Sequence, residues 1–112
     1  MEDLIARMRA PVLGLFGEKD HVISIDDVRR LRDALERHDR SYQITVYAGA
    51  PHGWLNDTMP GRYRPQIASR TWAEVVAFLA RTLADGADAS VRWEFRAEKH
   101  ADYDFAKNVR LE

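Results

Sequence analysis

The run PVLGLFG, Pro11 to Gly17, constrains the fold of this chain more than any other stretch. It is uninterrupted in its apolar character, too short for a helix, and bounded by a proline and a glycine, the pattern of a strand covered on both faces as in a parallel sheet. A parallel partner requires a crossover connection, and the next residues have the pattern of one. SIDDVRRLRDALERHD opens with Ser24 and Asp27 at capping-box spacing and lines up Ile25, Val28, Leu31 and Leu35 on one side. It ends on Arg37, His38 and Arg40, where positive charge complements the helix dipole.

Tyr42 to Ala48, YQITVYA, then alternates, with Tyr42, Ile44 and Val46 on one face and Gln43, Thr45 and Tyr47 on the other. That alternation predicts a second strand, less buried than the first and near an edge. After a loop, Pro65 suits the first turn of a long helix that Gly86 ends. Ala68, Trp72, Val75, Val76, Leu79 and Leu83 form its expected core stripe. Strand, helix, strand, helix is an α/β order implying a βαβα unit with two parallel strands and a right-handed crossover. VRWEFR alternates like a further short strand, whereas AEKHADYDFAKNVRLE is mostly polar and carries no structural signal. The expected division is therefore residues 1–85 as the folded part and 86–112 as a C-terminal tail.

Bulk properties exclude several function classes. With 112 residues there is at most one modest core, and 17 basic against 18 acidic residues leave a net charge of -1, which directs the chain toward neither nucleic acid nor an anionic membrane. No apolar run approaches the ~20 residues of a membrane span, and MEDLIARMRA is too charged for a signal peptide, so a cytoplasmic location is expected. The lack of cysteine removes disulfides, zinc–thiolate sites and a cysteine nucleophile together.

Chemistry enters where the strands end. GEKDH and GAPHGW each follow a predicted parallel strand, and open α/β sheets build their sites at that rim. If the two strands are neighbours, ~4.8 Å apart, the loops after them can bring the Asp20 carboxylate within hydrogen-bond reach of the His52 ring. A carboxylate so placed fixes one imidazole tautomer and stabilises the charged ring, supplying two members of a nucleophile–base–acid triad. Alternatively, His52 is a loop histidine bonded locally and Asp20 a turn residue bonding its own backbone.

PVLGLFGEKDHVIS, the helix and strand after it, PHGWLNDT and TWAEVVAFL together resemble the C-terminal half of the dienelactone hydrolase family, within the α/β-hydrolase superfamily. The resemblance spans about residues 4–84. It implies a partial α/β-hydrolase fold and a triad in the order nucleophile, acid, histidine, with Asp20 matching the acid and His52 the base. It implies hydrolysis of a small-molecule ester or lactone, and neither metal nor organic cofactor.

Two features depart from the family pattern. There is no Gly-x-Ser-x-Gly or Gly-x-Cys-x-Gly turn, because cysteine is absent and Ser24, Ser41, Ser69 and Ser90 lack flanking glycines. Members acting on dienelactone carry an arginine four positions after the histidine, where this chain has Asn56; Arg62 is the nearest substitute. The chain alone is therefore expected to be inactive or nearly so. It would either pair with a polypeptide bearing the upstream half or persist as a noncatalytic module that assembles with a partner or with itself. A C-terminal segment of a serine peptidase or acyltransferase of the same superfamily is a further alternative.

The other polar candidates carry less. His21 has no second ligand at metal-binding spacing, His38 belongs to a helix end and His100 to the polar tail. RRLRDALER reads as a solvated face of paired charges. Trp54 either lines a pocket or covers the following helix. Gly17, Gly49 and Gly53 are expected in turns with positive φ.

Overall fold

The computed structural model describes residues 2–84, 86–87, 90–100 and 103–104. Three parallel strands, β1 (Val12–Gly17), β2 (Tyr42–Tyr47) and β3 (Trp93–Ala97), form one sheet in the order β1-β2-β3. Helices α1 (Glu2–Arg7), α2 (Ile25–Arg37) and α3 (Pro65–Leu83) cover it. A short antiparallel pair, β4 (Lys99–His100) with β5 (Tyr103–Asp104), follows. The parts of the expected tail at 88–89, 101–102 and 105–112 lie outside the described residues.

The capping box forms as its spacing predicts: Asp27 N–H donates to Ser24 Oγ and Ser24 N–H to Asp27 Oδ2, both at 3.1 Å. Helix α2 buries Val28, Ala34 and Leu35 against Tyr42, Ile44 and Val46 of β2, and Ile5 of α1 joins the same cluster. Burying a side chain of this size is worth about 1.5–3 kcal/mol, so this layer dominates the fold. Arg32, read as part of a solvated face, is instead buried, with its guanidinium over the Phe95 ring of β3 at 5.6 Å. Arg29 and Arg30 form i, i+3 pairs with Asp26 and Asp27, acids one turn before the run.

Three expectations are corrected. First, β2 is the central strand and buried along its whole length, because Trp93–Ala97 pairs with its second edge; the sheet has three strands, not two. Phe95, from the alternation read in VRWEFR, and Ala97 just after it pack against the cluster that α2 forms with β2, whereas Val91 and Trp93 are exposed.

Secondly, most of the expected core stripe of α3 faces outward: Trp72, Val76, Leu79 and Leu83 are exposed and Ala68 and Val75 are half-buried, whereas Thr71 and Phe78 are buried. The reason lies on β2, whose side toward α3 presents Gln43, Thr45 and Tyr47. Those three side chains donate to the Glu74 carboxylate at 2.8, 2.7 and 2.6 Å, and Arg81 of α3 donates to Gln43 Oε1 at 3.1 Å. The helix therefore seats on polar contacts, which give partners to an amide and two hydroxyls that would be costly to bury unpaired.

Thirdly, Gly49 and Gly53 have positive φ, 73° and 83°, but Gly17 does not. Gly17 is where the two site loops touch: a Cβ there would lie 2.2 Å from the Ala50 carbonyl oxygen.

Candidate functional site

The site begins at the rim where Gly17 of β1 stands in register with Tyr47 of β2. Backbone bonds carry the pairing past the strand ends, with Glu18 N–H donating to Tyr47 O and Lys19 N–H to Ala50 O, each at 3.0 Å. The side chain of Glu18 crosses as well, accepting from Gly49 N–H at 2.9 Å. The loop after β1 and the loop after β2 are thus joined before either reaches its polar tip.

At the tip, Asp20 Oδ2 lies 2.8 Å from His52 Nδ1. Its other oxygen accepts from Val22 N–H at 2.7 Å and Ile23 N–H at 2.9 Å. The turn that Asp20 builds with its own backbone orients the oxygen facing the imidazole. The Asp20 side chain is 4% exposed and that of His52 42%, so the acid is sealed in while the ring reaches solvent. Burial pushes the Asp20 carboxyl toward neutrality, but the Ile23 amide, the His52 ring and the Val22 amide together outweigh it and hold the group below its ordinary value of 3.8. A charged Asp20 makes Nδ1 the protonated nitrogen of the neutral ring and leaves the Nε2 lone pair for a proton in transit.

Trp54, two positions on, covers α3: its indole donates to Thr71 Oγ1 at 3.0 Å and its ring lies 5.7 Å from that of Tyr47. Asn56 closes a local turn, accepting from Thr58 N–H at 3.0 Å. Arg62 runs alongside the histidine turn, its Cδ 3.6 Å from where a Cβ on Gly53 would sit. Sequence reasoning missed Glu18 and Glu98, whose carboxylates hold the backbone before His52; an acidic residue just beyond each strand was the available signal. Away from this rim, His38 Nε2 lies 3.0 Å from Glu2 Oε1. Among the described residues no cluster of three or more His, Cys, Asp or Glu could hold a metal ion, and no helix is long and apolar enough to cross a membrane.

Comparisons with known proteins bear on the same segment. The chain is 33% identical over 79 residues to a Salmonella typhimurium protein described as a carboxymethylenebutenolidase, an alignment covering 70% of this chain and 29% of that protein. A Bradyrhizobium protein described as a 2-oxo-3-(5-oxofuran-2-ylidene)propanoate lactonase is 29% identical over 77 residues, covering 69% and 31%. The crystal structure of a Klebsiella pneumoniae protein described as a dienelactone hydrolase superposes with a TM-score of 0.67 at 34% identity, covering 71% of this chain and 33% of that one. The chain spans about a third of the length of these relatives. The partial α/β-hydrolase fold is common to the chain and the Klebsiella structure, and the profile of the dienelactone hydrolase family matches residues 2–83: the chain belongs to that family.

Proposed function

We propose that Asp20 and His52 are the acid and the base of a triad that hydrolyses a small ester or lactone through an acyl-enzyme, the nucleophile coming from residues other than these 112. The observation that carries this reading is the 2.8 Å contact between a sealed carboxylate and a half-exposed imidazole at the ends of adjacent parallel strands. His52 Nε2 takes the proton from a serine hydroxyl or cysteine thiol as that atom bonds to the carbonyl carbon. It then gives the proton to the leaving alkoxide as the ester C–O bond breaks. In the second half, the same nitrogen deprotonates the attacking water and returns the proton to the departing nucleophile. Asp20 stays ionised throughout and stabilises the imidazolium.

On this reading residues 1–85 are the C-terminal part of a dienelactone hydrolase-like domain. Arg62, beside the histidine turn, suits a substrate bearing a carboxylate, which it would hold as an ion pair. The chain by itself has little or no esterase activity, since triad members act as a unit and loss of one removes almost the whole covalent route.

The test is complementation. The 112-residue chain is mixed with a polypeptide carrying the remaining two thirds of a relative, and hydrolysis of a small activated ester and of an unsaturated lactone is followed. Activity should appear only in the mixture and be lost with His52→Ala. A mixture that assembles yet remains inactive, or a His52→Ala mixture as active as the parent, would refute the reading.

A further inference from the structure

The residues that lead into His52 are held from two sides, and one of the holds comes from beyond residues 2–83, the segment that matches the family. On one side Glu18, from the loop after β1, accepts from Gly49 N–H at 2.9 Å. On the other, Glu98 stands immediately after β3. Its own N–H donates to Val46 O at 3.0 Å, continuing the sheet ladder, and its Oε1 accepts from Ala48 N–H at 3.0 Å.

Glu98 is itself fixed by Arg70 of α3, which donates from Nη1 to Oε2 at 2.5 Å and from Nη2 to Oε1 at 3.2 Å. The same guanidinium lies over the Tyr47 ring at 5.4 Å. A two-pronged guanidinium–carboxylate pair constrains orientation as well as distance. Only Gly49, Ala50 and Pro51 separate the residue that it grips from His52, and proline removes one of the backbone rotations between them.

We propose that Glu98, clamped by Arg70, is a positioning residue for His52. The third strand serves as the far jaw of a brace whose near jaw is Glu18, and together they keep the imidazole against Asp20. Ala48 N–H would otherwise turn to solvent and Gly49, with its positive φ, would become a free hinge. The inference rests on the reading of His52 as the base, but its consequence is a property of the ring and can be measured without any turnover.

The experiment is proton NMR of the 112-residue chain, following exchange of the His52 Nδ1 proton with water, with the Phe95 amide as a monitor of β3. In Glu98→Ala the Nδ1 proton should exchange about tenfold faster or more, the scale of losing one charge-assisted bond. In Glu98→Gln, which keeps an acceptor for Ala48 N–H, most of the protection should return. Glu94→Ala, which removes a different acid of β3, should leave the proton as in the parent. An Nδ1 exchange rate unchanged in Glu98→Ala would overturn the proposal, as would an equal acceleration in Glu94→Ala.

If Glu98→Ala also strips protection from Phe95, Glu98→Asp decides on the same readout. It keeps the charge but is one methylene too short to reach Ala48 and Arg70 together, so faster exchange supports the brace and unchanged exchange sinks it. Complementation separates this result from the parent reading: a Glu98 effect on the ring proton, combined with His52→Ala that does not impair hydrolysis, would fault the assignment of the base and not the brace.

Discussion

Asp20 occupies a site where burial opposes its charge and three donors restore it. That balance predicts what Asp20→Asn does. The amide oxygen can still accept from Val22 and Ile23, so the turn survives, but the amide nitrogen must now donate toward His52 Nδ1. The ring responds by carrying its proton on Nε2, the wrong nitrogen for a base. Nitrogen-15 NMR should show the tautomer exchanged in a chain that remains folded, and a reconstituted enzyme should turn over about 10,000-fold more slowly. Retention of the Nδ1–H tautomer would refute this. The pairing itself was legible in the sequence, since an acid and a histidine after two successive parallel strands meet at one rim. The part of Gly17 was not: it has ordinary φ, and only the approach of Ala50, a contact between remote segments, excludes a Cβ there.

At the scale of an element, α3 is the instructive case. Periodicity identified the helix and its proline start, yet chose the wrong face, because an apolar stripe states what could be buried and not what the sheet presents. The alternation of Gln43, Thr45 and Tyr47 was visible, and so was Glu74. Their mutual satisfaction needed a helix laid across a strand, with 27 to 31 positions of chain between the partners. The consequence is testable with two adjacent residues. Phe78→Ala, at a buried site, should cost about 3 kcal/mol. Leu79→Ala, in the outward stripe, should stay within about 0.5 kcal/mol. Urea unfolding of both variants checks this, and equal losses would mean that the helix packs by its stripe after all. Strand β3 was partly legible for a related reason: alternation marked it as a strand, but nothing local told that it would complete the second edge of β2.

For the molecule as a whole, three carboxyl groups tie the elements together and set its response to pH. Asp20 holds the site loops. Glu74 resists burial through Tyr47, Thr45 and Gln43 and is held below 4.5, and Glu98 is held below 4.5 by Arg70 against the opposing effect of burial, with further help from Ala48 N–H. Each has a depressed folded value, so its stabilisation is complete above its ordinary pKa and disappears as pH falls through the folded one. At the other end, burial and then Glu74 push the Tyr47 hydroxyl from 10.0 up to about 12, so its contribution is complete below 10.0 and is lost as pH rises toward 12. The urea midpoint should hold level from pH 6 to 9, fall below about 4.5 and fall again above about 10. A midpoint unchanged between pH 6 and 3 would contradict the assignment of these carboxylates. By itself the sequence determined the order from β1 through α2 and β2 to α3, the cap of α2 and the two residues that meet at the rim, because local periodicity, capping chemistry and chain direction are written within a few residues of one another. Only the tertiary structure decided which face of α3 is inside, where Trp93–Ala97 belongs and what grips the histidine loop, because those outcomes depend on polar groups finding partners across tens of residues of chain.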